Sequence, residues 1–128
     1  MLCSELLEGA LRLLGEKGGA EENEDYAERA PYIIASFVCE AAEVDRRYRV
    51  ANGMPTAKTV SAVYVPLEDE FPLNERLFPS AEFYLASILV ADEAPELSER
   101  LYEKYCDSIT SVYDSLPCIT ESIANCYG

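Results

Sequence analysis

The feature that most constrains the fold is a long apolar run, residues 83–91, which is interrupted at Ser87. A helix that is apolar on nearly every side is stable in water only when other elements surround it. The run is about half as long as the roughly 20 residues that span a bilayer, so it predicts no transmembrane segment. We therefore expect a buried central helix whose regular part begins near Pro79.

A short amphipathic helix is predicted near the beginning of the chain. Between Ser4 and Leu14, apolar residues recur at spacings of three and four. Ser4 is suited to cap the first turn of this helix, and Gly15 is suited to end it. The next stretch, as far as about Asn23, has no apolar period and is predicted to be a flexible, solvated loop.

A second, longer helix is expected to start near Asn23. Pro31 lacks an N–H donor and disfavours a helical conformation at the residue before it, so we expect a kink or a break there. Beyond Pro31 a broad apolar face predicts a mostly buried helix, which Asn52 and Gly53 are expected to end. The residues of the apolar face are Ile34, Phe37, Val38, Ala41, Val44 and Tyr48.

Two parts of the chain are not predicted to be helical. Residues 59–67 are rich in β-branched and aromatic side chains, which predicts one short strand or an extended arm. Residues 118–128 carry Ile119 and Ile123 among polar residues. This tail could form an arm or an added strand, and its sequence leaves both open.

A last amphipathic helix is predicted after a short connection. Pro95 suits its first turn, and apolar residues recur at three to four residues as far as Leu116. Because the connection is short, we expect this helix to run antiparallel to the central one. Together the patterns predict an all-α, four-helix bundle-like domain with one extended arm or short β segment. Residues 1–128 are expected to form a single domain, since a chain of this length builds one hydrophobic core.

The charge of the chain restricts its partners. With 24 acidic against 10 basic residues the net charge is −14, so we expect no direct nucleic-acid binding and no membrane partner. Acidic residues concentrate between Glu16 and Glu28, whereas Arg46, Arg47 and Arg49 form a small basic group. We favour a local role for these arginines at the negative end of a helix dipole. Contact with a neighbour's acidic surface is the alternative.

No residue pattern in the sequence predicts catalysis. The chain contains no histidine, which removes the commonest general base and a common metal ligand. Glu40 with Glu43, and Glu96 with Glu99, are spaced to share a helical face. Solvated or ion-paired faces explain these pairs better than a di-iron site, which needs histidine partners. We therefore expect no enzyme activity, no catalytic residue, no cofactor and no bound metal.

The five cysteines contain no CxxC pair and fit a reducing cytoplasm. Cys39 and Cys106 fall within apolar helical patterns and are expected to be core residues. Cys118 and Cys126 could pair if oxidised, which is the less favoured interpretation. The chain also has nine tyrosines and no tryptophan. Tyrosine is enriched at protein interfaces, but the edges of cores use it equally, so this composition discriminates only weakly.

The order of these parts resembles that of a known protein family. Residues 10–15 belong to a short first helix, which an acidic loop, a long second helix and an extended arm follow. Residues 71–73 then lead into the apolar helix that contains residues 81–86, and a final amphipathic helix comes last. This arrangement, over roughly residues 4–116, is similar to that of the head-tail connector, or adaptor, proteins of tailed bacteriophages.

The resemblance implies a small helical structural protein, without catalytic activity, that forms rings between the portal and the tail. It further implies that residues 60–67 form an arm that contacts neighbouring subunits, with the residues after Pro117 as a second contact. The expected partners are copies of the chain itself, the phage portal and tail-completion proteins. The expected location is the cytoplasm of a bacterial host, or the virion if the prophage is active.

A different class of function remains open beside this one. The excess of acidic residues is also typical of a regulatory or inhibitory module that offers its carboxylates to a basic partner, such as a nucleic-acid mimic. Carboxylates spaced like phosphates on one continuous face would favour that alternative.

Overall fold

The computed structural model describes residues 1–56 and 63–116 of the chain. These residues form four α-helices, α1 (Cys3–Leu13), α2 (Glu24–Ala51), α3 (Phe78–Leu89) and α4 (Pro95–Asp114), and a 3-10 turn, Glu75–Leu77, immediately before α3. The β structure among the described residues is limited to one isolated bridge between Leu2 and Glu70. The predicted all-α class is confirmed.

Helix α3 is the centre of the fold, as its composition predicts. It packs against each of the other three helices, and even its serines Ser80 and Ser87 are buried. Among the described residues, no helix combines the length and the hydropathy that crossing a bilayer requires. The other three helices of the chain bury α3.

Two serine contacts fix the direction of α4 against α3. The hydroxyls of Ser80 and Ser108 lie 2.7 Å apart, and Ser98 Oγ donates a hydrogen bond of 2.7 Å to the carbonyl of Ser87. The beginning of α3 therefore lies beside the later part of α4, and its end lies beside the first turns of α4. The two helices are antiparallel, as the short connection between them predicts.

Helix α2 runs without interruption past Pro31. Of the kink or break predicted at this residue, the break is therefore wrong, and the kink stays a prediction. Pro31 and its neighbours Ala30 and Ile34 are buried in the core. The Pro31 carbonyl accepts a hydrogen bond of 3.1 Å from the backbone N–H of Val65. Burial and this added bond offset the hydrogen bond that proline cannot donate, and the helix continues to Ala51.

The segment before the 3-10 turn crosses the beginning of α1 and replaces the expected side-chain cap. The carbonyls of Asp69 and Leu67 accept bonds of 2.9 Å from the backbone N–H groups of Cys3 and Ser4. The residue at the cap position is Leu2, so the prediction that Ser4 caps the helix is wrong. Because a neighbouring segment satisfies these donors, no capping hydroxyl is required.

The expected short strand is not present in the described part of its range. Val63 and Tyr64 are exposed, but Val65 turns into the core and Leu67 packs against it. Residues 60–62 of the expected arm and residues 118–128 of the tail, with Cys118 and Cys126, lie outside the described residues. The two helix ends predicted at glycine are confirmed, since Gly15 and Gly53 have φ of 73° and 67°.

The expectation that Cys39 and Cys106 belong to the core is wrong, because both are exposed. Each cysteine follows a buried residue, Val38 on α2 and Tyr105 on α4, and one residue further along a helix turns the side chain by about 100°. Cys3 is the buried cysteine among the described residues, and its burial raises the pKa of the thiol to about 11.

Candidate functional site

A groove lined by tyrosines lies where α2, α3 and the segment before the 3-10 turn meet. It has a volume of about 670 Å³. We call it the tyrosine groove, and its residues are Tyr32, Ala35, Ser36, Cys39 and Glu40 of α2, Val63, and Tyr84 of α3.

The mouth of the tyrosine groove is apolar and well exposed. Tyr32 is 55% exposed, Val63 78% and Tyr64 51%, and the rings of Tyr32 and Tyr64 meet edge to face with centroids 5.1 Å apart. Residues 30–39 of α2 include no charged side chain, although a quarter of the chain is charged. An exposed aromatic surface without charge is typical of a protein interface rather than of a solvated helix face.

Tyr84 of the groove belongs to an aromatic cluster that joins three helices. The ring of Phe37 in α2 lies 5.5 Å from that of Tyr84 in α3 and 6.1 Å from that of Tyr105 in α4. Tyr84 and Tyr105 are 5.1 Å apart, and Tyr102 extends the cluster to the surface of α4 at 5.4 Å from Tyr105. The cluster holds the groove residues in a fixed arrangement, since each ring contacts at least one other.

Glu40 is the carboxylate of the groove, and it is bound to the aromatic cluster. Its Oε1 accepts a hydrogen bond of 3.0 Å from the hydroxyl of Tyr105. Burial, together with the negative charge of Glu40, raises the pKa of Tyr84 to about 12 and raises that of Tyr105 further. Both phenols stay protonated at neutral pH, and the one hydroxyl donor of Tyr105 is already engaged with Glu40.

The structure does not bring the paired carboxylates of α2 together. Glu43 accepts hydrogen bonds from Arg46, at 2.6 Å, and from Arg47, at 3.1 Å, whereas Glu40 faces Tyr105. The two arginines lower the pKa of Glu43 to about 2. In the other predicted pair, both Glu96 and Glu99 are exposed.

The basic group at the end of α2 contacts the chain itself. Arg49 donates a hydrogen bond of 2.9 Å to Asp45, which is only 2% exposed and also accepts one of 2.7 Å from the backbone N–H of Asn74. Arg47 donates one of 2.9 Å to the hydroxyl of Tyr113 at the end of α4. These contacts tie α2 to both the 3-10 turn and α4. The role of the arginines at the negative end of the helix dipole stays a prediction. Only the i to i+4 spacing of Asp45 and Arg49 signals this pair in the sequence.

A second surface gathers acidic residues around the start of α2. We call this concavity of about 290 Å³ the acidic concavity, and its residues are Glu16, Glu22, Asn23, Glu24, Asp25, Tyr26 and Glu93. The hydroxyl of Tyr26 donates a hydrogen bond of 2.8 Å to Glu93, and burial with this bond raises the pKa of Tyr26 to about 12. Glu93 lies far along the chain from the others, and no sequence pattern connects it to them. Within residues 1–56 and 63–116, no group of three or more acidic or cysteine side chains is arranged to hold a metal ion.

These two surfaces of the described chain are candidates for recognition of another molecule. One is mainly aromatic, with Glu40 as the charged residue of its lining, and the other is polar and negative. Comparison with other proteins adds no relative, because no protein-family model matches the sequence and no curated protein or solved structure is significantly similar to it.

Proposed function

We propose that this chain is a prophage structural protein, a head-tail connector subunit that assembles between the portal and the tail. The observation that carries the proposal is the uncharged aromatic mouth of the tyrosine groove, formed by Tyr32, Val63 and Tyr64 on a strongly acidic chain. The order of helices and loops, which resembles that of connector proteins, supports it. In this role the chain performs no catalysis, resides in the bacterial cytoplasm and enters the virion when the prophage is active.

Electrostatics makes the tyrosine groove the best contact surface for self-assembly. A net charge of −14 repels a second copy over most of the surface, because like charges brought together at an interface cost free energy. Residues 30–39 of α2, which supply most of its contribution to the groove, include no charged side chain, so a neighbour can approach there at lower cost. Tyr32 and Tyr64 offer large apolar rings whose burial stabilises a complex.

Light scattering and electron microscopy of the purified chain, alone and mixed with a portal protein, test the proposal. We expect oligomers, or complexes with the portal, that the double variant Tyr32→Glu/Tyr64→Glu no longer forms. The control is Val50→Glu, which places one extra charge on an exposed apolar residue at the far end of α2. A chain that stays monomeric and never joins a portal would exclude a connector role.

The acidic concavity favours a second candidate function, an acidic regulatory or inhibitory module for a basic partner. Glu16, Glu24 and Glu93 come from three parts of the chain and line one surface without a lysine or arginine among the lining residues. A nucleic-acid mimic presents negative charge to its target in this way. The test is a pull-down in which a nuclease or a DNA-binding protein is captured and then released by added salt. Capture that is insensitive to salt would count against this candidate.

A further inference from the structure

A separate groove lies between the end of α3 and the first turns of α4. It has a volume of about 430 Å³. We call it the α3–α4 groove, and its residues are Ser87, Ile88, Ala91, Ser98, Glu99, Tyr102 and Glu103. None of them belongs to the tyrosine groove or to the acidic concavity.

The base and one wall of the α3–α4 groove are apolar. Ile88 comes from α3 and Ala91 from the connection that follows it, and the ring of Tyr102 from α4 lines the groove beside them. Ala91 and Tyr102 are exposed, and Ile88 is half-buried, so these apolar atoms are accessible to a partner. The hydroxyl of Ser98 already donates a hydrogen bond to the Ser87 carbonyl, so neither group requires a polar partner from a ligand.

The rim of the groove is negative and has no compensating charge. Glu99 and Glu103 stand one helical turn apart on α4, a spacing at which two carboxylates repel each other. Among the described residues, neither side chain takes part in an ion pair or a hydrogen bond. Arg100 and Lys104 lie on the same helix but do not line the groove.

We propose that the α3–α4 groove binds a basic amphipathic segment of another protein, with apolar side chains on Ile88, Ala91 and Tyr102 and lysine or arginine side chains on Glu99 and Glu103. Peptide grooves of this kind combine an apolar anchor site with charges at the rim that select the partner. The proposal concerns a different surface from the tyrosine groove. It does not depend on the head-tail connector role proposed above.

The charge of the chain argues for a foreign partner over a second copy in this groove. Two copies of a chain with a charge of −14 repel each other, and the rim places two of the carboxylates behind this charge directly at the contact. The densest basic group, at the end of α2, already contacts Glu43, Asp45 and Tyr113 within the chain. A segment from a basic protein carries positive charge, which is attracted to Glu99 and Glu103 at the rim.

Fluorescence anisotropy with a designed probe tests the proposal on the full chain. The probe is a labelled helical peptide with leucines along one face and lysine pairs four residues apart beside them. The reference peptide has glutamine in place of every lysine. We expect the lysine peptide to bind more tightly than the reference, and added salt to reduce the difference. Glu99→Gln/Glu103→Gln should weaken binding about five-fold, as two exposed charge pairs would.

Two further variants separate the groove from general charge attraction. Glu8→Gln/Glu28→Gln removes the same charge from exposed positions on α1 and α2, and should change the affinity less than about two-fold. Ala91→Phe fills the groove while keeping every charge, and should weaken binding about five-fold or more. Circular dichroism establishes that each variant remains folded.

Three results would overturn the proposal. The first is equal weakening by the two double glutamine variants, and the second is unchanged binding to Ala91→Phe. The third is a self-association of the chain that Ala91→Phe abolishes while the peptide does not bind, because the groove would then belong to a second copy.

Discussion

Helix α2 lines two surfaces of opposite character, and they differ in what holds their residues in place. The tyrosine groove lies on rings that pack across α2, α3 and α4, with Phe37 at their centre. The acidic concavity is built from a loop, the first turn of α2 and Glu93, with one hydrogen bond from Tyr26 across it. An interface built on the core is preorganised for a shape-specific partner, whereas one built on a loop depends on charge.

The largest difference in stability between changes at the two surfaces is expected when the central ring of the aromatic cluster is truncated. Phe37→Ala removes a buried ring that contacts Phe71, Tyr84 and Tyr105, so we expect a loss of about 3–5 kcal/mol in the free energy of unfolding. Urea denaturation followed by circular dichroism measures this loss. Glu22→Ala in the acidic concavity is the matched control and should stay within about 0.5 kcal/mol. Equal losses would show that the two surfaces do not differ in their dependence on the core.

Removing one phenol hydroxyl from each surface compares the same hydrogen bond in two settings. Tyr105→Phe deletes the donor to Glu40, and Tyr26→Phe deletes the donor to Glu93. We expect each change to cost about 1.5–3 kcal/mol, because a hydrogen bond to a charged carboxylate contributes on this scale. Urea denaturation again provides the measurement. Added salt should alter the cost little at either position, since each bond is short and partly buried.

Alkaline titration should show that burial affects tyrosines of both surfaces alike. The pKa of Tyr84 in the groove and that of Tyr26 in the concavity are both raised from 10.0 to about 12. A raised pKa stabilises the protonated folded state, so this stabilisation is complete below about pH 10 and is lost as pH rises to about 12. The ultraviolet absorbance of tyrosinate follows the titration. The change at high pH should decrease in Tyr84→Phe and in Tyr26→Phe, and a variant whose titration near pH 12 matched the original chain would contradict the assignment.

The smallest expected effect concerns salt. Glu16→Gln and Glu22→Gln relieve repulsion in the acidic concavity, so each should raise the Tm by about 1–2 °C at low ionic strength and by less when salt is added. Tyr32→Ser in the groove should change the Tm by an amount that does not depend on salt. Thermal melts at two salt concentrations measure these changes in Tm. If the effect of Tyr32→Ser on the Tm also depended on salt, the two surfaces would not differ in their dependence on charge.

The sequence predicts the helices well because each has a strong local signal. The central position of α3 follows from its apolar composition, and the ends of α1 and α2 follow from Gly15 and Gly53. The errors arise where distant contacts decide the outcome. The continuity of α2 depends on the burial of Pro31 and on Val65, and the cap of α1 comes from Asp69. The apolar pattern of a helix also assigns Cys39 and Cys106 to the core, although each lies one position beyond a buried residue. One position turns a helical side chain by about 100°, which is enough to expose it.

The surfaces are harder to predict than the helices. The sequence shows that tyrosines and acids are abundant, but not that Tyr32, Tyr64 and Tyr84 gather at one groove or that Glu93 joins the loop acids. Such clusters form between residues that are far apart in the chain, and only the packing of α2 against α3 brings them together. The head-tail connector role and its acidic alternative therefore stay predictions that the binding experiments decide.

The crossing of residues 65–71 over the start of α1 sets an order on folding during synthesis. Helix α1 leaves the ribosome first, yet the N–H groups of Cys3 and Ser4 and the carbonyl of Met1 find their partners only when Leu67, Asp69 and Phe71 have been made. Until then the first turn of α1 has no acceptors beyond its own residues and water. In the finished protein these hydrogen bonds join the start of α1 to residues 67–71. The amide hydrogens of Cys3, Ser4 and Phe71 should therefore exchange with solvent in one common opening event.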